Sequence, residues 1–187
     1  PESGVVNTDI DIKDGGIVAI GANLGIESKR LIDATNKYVM PGIIDPHVHL
    51  GLFAPLEEEL RTETKAALIG GVTTVGSYFA SKESHLSTFP STIESIGANS
   101  YVDIIPHLVI SNDDQRKEIL DYINELGVTS FKIYMNGIPG LIPDVDDAFI
   151  LDVFDEIKKS NKRCIVCAHA ENRYMVRRFN KLIFEEK

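Results

Sequence analysis

Residues 130–170 read SFKIYMNGIPGLIPDVDDAFILDVFDEIKKSNKRCIVCAHA, and this stretch decides the fold class. It begins with the apolar run Ser130–Met135, continues with an amphipathic segment over residues 146–159 and ends with the apolar run Arg163–Ala168. A strand, a helix and a second strand in this order are typical of parallel α/β structure, in which the helix connects two neighbouring strands.

The same alternation of strand-like and helix-like segments begins at residue 41 and is repeated about five times. The remaining predicted strands are Gly42–Asp45, Val72–Val75 and Val102–Val109, and the remaining predicted helices cover residues 56–69, 91–98, 113–126 and 171–185. Both a doubly wound open sheet and part of a (β/α)8 barrel fit this pattern, since a closed barrel needs eight strands and about 250 residues. No GxGxxG follows the first of these strands, so nothing local supports dinucleotide binding.

The first 40 residues show no helical periodicity, and their sequence pattern predicts β structure. The predicted pieces are a strand with Val5-Val6 and Asp9–Ile12, a turn at Asp14–Gly16, a strand at Ile17–Gly21, and short segments at Leu31–Ala34 and Tyr38–Met40. We therefore expect residues 1–40 to form part of a small β-sheet or β-sandwich domain, separate from the α/β region.

Composition and charge narrow the possible partners. The chain has 187 residues, with 19 basic and 28 acidic side chains and a net charge of −9. An acidic surface repels phosphate backbones, so we expect no nucleic-acid partner. No apolar run approaches the roughly 18 residues that span a bilayer, and no signal peptide is visible, so we expect a cytoplasmic protein without membrane contact. The start at Pro1 and the helix-like last residues suggest trimming at both ends.

The strongest chemical signal is Asp45-Pro46-His47-Val48-His49, at the end of the first strand of the α/β region. Residues two apart in an extended segment point the same way, so His47 and His49 can offer both imidazoles to one ion. Neutral imidazole suits zinc and other borderline divalent metals. Two structural histidines are the alternative interpretation.

Two further candidates belong to later strands. His169 directly follows the fifth strand, and the carboxyl ends of parallel barrel strands meet on one face, where active sites lie. Lys132 stands between apolar residues inside the fourth strand, where desolvation would lower its pKa and leave a nucleophilic amine. The alternatives are a structural histidine and a lysine that reaches solvent from a strand end.

Other polar residues carry weaker signals. Cys164 and Cys167 form a CxxC, but in a strand their thiols point to opposite faces, so we expect structural roles. We expect a structural role for His85, and for His107 a structural role or a place behind the ligands, lining the pocket. The acidic run Glu57–Glu59 is most simply a solvated helix start.

Four motifs together resemble a known family. They are Pro41–Leu50 (PGIIDPHVHL), Gly70–Val75 (GGVTTV), Ser130–Met135 (SFKIYM) and Ala168–Asn172 (AHAEN). In this order they resemble the first, second, fourth and fifth strands of the amidohydrolase superfamily, in its cyclic amidohydrolase branch of hydantoinase- and dihydropyrimidinase-like proteins. The resemblance spans nearly the whole chain, and the combination is far more specific than any one motif.

The resemblance implies a (β/α)8 TIM-type barrel with a small β-sandwich. Residues 1–40 would belong to the sandwich, and residues 41–187 would form the first part of the barrel, about five βα units. It also implies two divalent ions, usually zinc. His47 and His49 would hold the more buried ion, Lys132, carboxylated by CO2, would bridge both ions, and His169 would hold the second.

The implied activity is hydrolysis of a C–N bond in a cyclic amide or ureide, of hydantoin or dihydropyrimidine type, by hydroxide that the two ions generate from a bridging water. The resemblance also implies a homo-oligomer, a tetramer. The family takes a further histidine from the sixth strand and a catalytic aspartate from the eighth, both beyond the end of this sequence. We therefore expect the 187 residues alone to be inactive and poorly folded.

One position departs from the pattern of hydantoinases, which usually carry a tyrosine a few residues after the lysine. Gly137 stands there, and we expect Tyr134, although near, to point elsewhere. Allantoinase-like and dihydroorotase-like substrates therefore stay open. Two other classes also stay open: a non-catalytic dihydropyrimidinase-like assembly protein, and an open α/β binding domain with an incidental HxH.

Overall fold

The computed structural model describes residues 4–24 and 27–184, and the chain divides into two compact units between Met40 and Pro41. In the first unit, strands β1 (Asp9–Lys13) and β2 (Gly16–Gly21) pair antiparallel, with Lys13 opposite Gly16. Asp14 and Gly15 both have positive φ angles, 52° and 79°, as a two-residue hairpin loop requires. The predicted hairpin is confirmed.

The other β pieces predicted in this unit are wrong. Residues 27–40, all of which the structure describes, contain no strand, and neither do Val5 and Val6. The Asp33 carboxylate instead accepts the Thr35 N–H (2.9 Å), and the Lys37 N–H donates to the Ala34 carbonyl (2.9 Å). These local bonds close a turn and compete with strand pairing.

The second unit contains a parallel sheet of five strands that follow one another in chain order. They are β3 (Ile43–Val48), β4 (Val72–Phe79), β5 (Asp103–Val109), β6 (Ser130–Tyr134) and β7 (Ile165–His169). A doubly wound sheet reverses its strand order at a switch point, whereas a barrel wall keeps chain order. The sequential order therefore favours the barrel of the two arrangements that the sequence allowed.

Six helices connect and follow the strands in the described part of this unit. They are α1 (Leu56–Ile69), α2 (His85–Asn99), α3 (Asp113–Lys117), α4 (Ile119–Asn124), α5 (Asp147–Lys159) and α6 (Arg173–Phe184). The last residue of the predicted final helix, residue 185, lies outside the described residues. None of the helices described is both long enough and apolar enough to cross a bilayer.

Two of the predicted helices differ clearly from the observed ones, whereas α5 and α6 begin only one and two residues later than predicted. Helix α2 begins six residues earlier than predicted, because the Ser84 hydroxyl caps it by accepting the Leu86 N–H (3.1 Å). The single helix predicted for residues 113–126 is divided at Glu118 into α3 and α4. The Glu118 carboxylate accepts hydrogen bonds from the hydroxyls of Ser84 and Tyr122, each 2.6 Å long, which ties this break to the start of α2.

The hydrophobic core lies between the helices and one face of the sheet. Strand residues Phe79, Leu108, Phe131 and Ile133 are buried there with Phe89 of α2, Ile119, Tyr122 and Ile123 of α4 and Val153 of α5. Because side chains alternate along a strand, the residues between these apolar positions point to the other face of the sheet. We call that other face the inner face.

The loop after β3 is held by one buried carboxylate. Glu59, 8% exposed, accepts the backbone N–H groups of Gly51, Leu52, Phe53 and Ala54 at 2.5 to 3.3 Å. The interpretation of Glu57–Glu59 as a solvated helix start is therefore wrong for Glu59. Hydrogen bonds to a charged acceptor are stronger than those between neutral groups, so this contact fixes the segment directly after His49.

We predict that Glu59→Gln destabilises the protein by about 1–3 kcal/mol, because an amide removes the charge and leaves backbone donors poorly satisfied. Urea unfolding measures the change. Glu58→Gln is the matched control, because Glu58 is the exposed neighbour on the same helix and its loss should change the unfolding free energy little. Equal effects of the two substitutions would contradict the assigned role of Glu59.

Candidate metal centre

The inner face carries a continuous group of polar and aromatic side chains that runs from β3 to β7. The His47 and Tyr78 ring centroids are 4.6 Å apart, and those of Tyr78 and His107 are 4.5 Å apart. Nζ of Lys132 lies 4.8 Å from the centre of the Tyr78 ring. Neighbouring strands thus bring residues distant in sequence into one site, as the meeting of strand ends predicts.

His47 and His49 are brought together as predicted. Their ring centroids are 5.3 Å apart, with an angle of 61° between the planes. Two imidazoles that share one zinc ion at about 2.1 Å per Zn–N bond place their centroids about 5 Å apart. The pair therefore has the spacing that one ion requires, and both side chains are open to solvent.

Lys132 is buried on the inner face and does not reach solvent, being 3% exposed. Within residues 4–24 and 27–184 its amine forms neither an ion pair nor a hydrogen bond, and it lies over the rings of Tyr78 (4.8 Å) and Tyr134 (5.0 Å). Burial lowers the pKa of Lys132, while Cys167 and Glu171 act in the opposite direction. Loss of solvent disfavours the ammonium form, as expected for a desolvated amine.

His169 completes the predicted set at the end of β7. Its ring stacks on that of Tyr134, with 5.2 Å between the ring centroids and 19° between the ring planes. Its Nε2 lies 2.9 Å from a carboxylate oxygen of Glu171. Burial lowers the pKa of His49, and positive charge on His47, Lys132 and His169 lowers it further. The four predicted residues therefore share one electrostatic environment.

Histidine, cysteine and carboxylate side chains alone do not make up an ion site here. Among residues 4–24 and 27–184, no three of them gather closely enough to hold a metal ion.

The tyrosines of the inner face were missed at the sequence level. Tyr78 is 7% exposed and contacts four of the polar side chains through its ring, although nothing in the β4 sequence alone marks it. The expectation that Tyr134 points elsewhere is wrong. Tyr134 lies two residues after Lys132 in the same strand, so alternation places both on the same face.

His107 and His85 lie on opposite sides of the sheet. His107 is 8% exposed and stacks on Tyr78, and its Nδ1 bonds with the Ser130 hydroxyl, so it lies behind the predicted ligands on the inner face. Its Nε2 makes no hydrogen bond in the described structure. His85 is structural, with its Nε2 donating to the Val109 carbonyl (2.8 Å).

The two cysteines face different environments, as the strand alternation predicts. Cys164 packs against the core beneath the helices. Cys167 lies on the inner face, opposite Lys132 in the β6–β7 register and near the Tyr78 hydroxyl, where together with burial it raises the pKa of Tyr78. Cys167 therefore borders the candidate site, and its structural role stays a prediction.

Similar proteins of known name cover nearly the whole chain. A D-hydantoinase of Ralstonia pickettii is 33% identical in an alignment of 180 residues that covers 90% of this chain and 37% of that protein. The crystal structure of the L-hydantoinase (dihydropyrimidinase) from Arthrobacter aurescens matches 98% of this chain and 41% of its own, with a TM-score of 0.85 and 28% identity. The chain belongs to the cyclic amidohydrolase family.

Other cyclic amidohydrolases give the same result. The dihydropyrimidinase of Brevibacillus agri NCHU1002 matches 96% of this chain and 40% of its own, with a TM-score of 0.83 and 30% identity. An allantoinase of Bacillus licheniformis is 30% identical, over 91% of this chain and 39% of its own length. No family model matches the chain. The chain spans about two fifths of these relatives and matches their N-terminal portion, which confirms the partial (β/α)8 barrel.

Gly137, where the family resemblance led us to expect a tyrosine, leaves no room for a side chain. A Cβ at this position would lie 2.3 Å from the Ile142 carbonyl oxygen and 2.4 Å from the Asp144 nitrogen. Both are backbone atoms, and Ile142 is held in place by a bridge to Ile138. The departure from the hydantoinase pattern is thus built into the backbone path after β6.

We predict that Gly137→Ala lowers the unfolding free energy by about 1–3 kcal/mol, because the added methyl group overpacks against fixed backbone. The control is Gly97→Ala in α2, where a Cβ meets nothing within 4 Å. That change should stabilise the protein by about 0.5–1 kcal/mol, as alanine does in place of a helical glycine. Thermal and urea unfolding compare the two, and a neutral Gly137→Ala would contradict the close approach.

Proposed function

We propose that this cyclic amidohydrolase chain provides one side of a binuclear metal site that hydrolyses a C–N bond in a cyclic amide or ureide of hydantoin or dihydropyrimidine type. The observation that carries the proposal is Lys132, which is buried without an ion pair among the described residues, on a face that it shares with His47, His49 and His169. The names of the relatives, D- and L-hydantoinase, dihydropyrimidinase and allantoinase, support the substrate class.

The chemistry of Lys132 fits the position of a bridging ligand. Its pKa is lowered by burial, so a larger fraction of the amine is uncharged and able to attack CO2. The nitrogen then forms a bond to the carbon, and one proton leaves. The product is a carbamate, an anion with two oxygens that can bind one cation each, as a carboxylate does.

The donor set of the inner face fits divalent ions when Lys132 carries this anion. His47 and His49 would hold one ion, His169 would hold the other, and the modified Lys132 would bridge them. Zinc suits a set of imidazoles and one oxygen anion. Such ions supply a lowered pKa for an attacking water and polarisation of the scissile carbonyl.

The proposed ligands differ in exposure. Lys132 is buried beside Tyr78, whereas His47 and His49 are open to solvent in the described part of the chain. The same geometry serves allantoin or dihydroorotate, since a ring amide is the group to be cleaved in each. Cytoplasmic location and homo-oligomeric assembly, as a tetramer, belong to this proposal and rest on the family alone.

We predict that the protein at its natural length, grown with zinc and bicarbonate, contains about two metal ions per chain. Lys132→Ala should remove most of this metal and the hydrolysis of hydantoin, dihydrouracil, allantoin or dihydroorotate, because the bridge is lost. Lys65→Ala, an exposed lysine of α1, is the control and should keep both. Plasma mass spectrometry and product assays measure the outcome.

A second arm of this experiment tests the carbamate. Metal-free protein is reloaded with zinc in the presence and absence of bicarbonate, and bicarbonate should raise the metal content of the unaltered protein but not of Lys132→Ala. Absence of stoichiometric metal in the unaltered protein would sink the hydrolase proposal. It would favour a non-catalytic assembly protein of the same family.

A further inference from the structure

Tyr78 occupies the centre of the candidate metal site. Its ring centroid lies 4.6 Å from that of His47, 5.4 Å from that of His49 and 4.5 Å from that of His107. Nζ of Lys132 lies 4.8 Å from the same centroid. Two histidines and the lysine of the proposed metal site therefore contact one aromatic ring.

The ring has a physical role toward each of these groups. Its electron-rich face attracts the Lys132 amine when that is protonated, which matters because no carboxylate in residues 4–24 and 27–184 pairs with it. Tilted ring contacts restrict the rotation of the His47 and His49 imidazoles. A metal ligand that is held in one orientation binds more tightly than one that must be ordered on binding.

The β4 backbone explains why the ring lies there. Gly76 and Tyr78 share the inner face, while Phe79 points to the core, where its ring centroid lies 6.2 Å from that of Phe89. A Cβ on Gly76 would lie 2.6 Å from Nε2 of His107. Glycine at this position therefore admits the His107 imidazole, which stacks behind Tyr78 at an angle of 23°.

We propose that Tyr78 is a positioning residue of the metal centre, whose ring sets the orientation of His47 and His49 and the location of the Lys132 amine. This inference rests on the proposed function for its consequence, metal affinity, but not for the arrangement itself. We assign this role to the ring of Tyr78, because the ring contacts His47, His49 and Lys132. The hydroxyl group instead lies near Cys167. Substitution of Tyr78 by phenylalanine should therefore preserve the positioning role, whereas substitution by an aliphatic residue should abolish it.

The test compares Tyr78→Phe with Tyr78→Leu in the protein at its natural length. Zinc affinity is measured by titration of the metal-free protein with a competing chelator and bicarbonate present. Tyr78→Phe should keep the affinity within about twofold, and Tyr78→Leu should weaken it by about 10–100-fold, the usual effect of losing a group that orients a ligand. Phe79→Leu is the matched control, since it removes a ring from the opposite face of the same strand.

A second readout does not depend on metal. In the metal-free protein, the His47 and His49 ring protons should show ring-current shifts in NMR spectra that persist in Tyr78→Phe and disappear in Tyr78→Leu. If the unaltered protein binds no zinc but shows these shifts, the proposed function fails and the positioning role stands. If the shifts are absent, the positioning role fails.

Three affinity results would overturn the inference. Equal loss of affinity in Tyr78→Phe and Tyr78→Leu would assign the effect to the hydroxyl. Unchanged affinity in Tyr78→Leu would show that the ring has no role. An equal loss in Phe79→Leu would indicate general destabilisation, which thermal unfolding of all three variants measures in parallel.

Discussion

A lysine amine that is buried without an ion-pair partner among the described residues is the constraint around which the inner face is arranged. Removing an ammonium group from water is costly unless it is paired or neutralised. No carboxylate in the described part of the chain forms an ion pair with Lys132, although the charge of Glu171 opposes the fall in its pKa. Two aromatic rings, Tyr78 and Tyr134, surround it instead, and its pKa is lowered. Under the proposed function, an anion formed on the lysine itself, with cations beside it, would remove the cost of this burial.

The alternation of side chains along the strands separates stability from chemistry. In β6, Phe131 and Ile133 lie in the core beneath the helices, while Ser130, Lys132 and Tyr134 lie on the inner face. One strand thus contributes to both. A change on the inner face can alter the site without creating a cavity in the core, provided that close backbone approaches such as those at Gly76 and Gly137 are kept.

The order of strands and helices could be predicted because apolar periodicity is local, and His47, His49, Lys132 and His169 could be proposed because each lies in a short motif. Tyr78 could not, since its importance arises only when β4 lies between β3 and β5. The sequence around Glu59 does not distinguish it from a solvent-exposed glutamate. Glu59 is buried because the loop after β3 folds back onto it. Leu31–Ala34 has a strand-like composition, but local hydrogen bonds close a turn there.

Within residues 4–24 and 27–184, the hydrogen bonds that the Glu59 carboxylate accepts all come from main-chain N–H groups. The conformation of residues 51–54 is therefore largely independent of the side chains that the loop carries, Gly51 with its positive φ of 78° being the exception. Leu52 and Phe53, 39% and 89% exposed, can be exchanged without loss of the hydrogen bonds that hold the loop. The side chains of this loop beside His49 can thus change during evolution while the backbone conformation stays the same. Such an arrangement favours diversification within one scaffold.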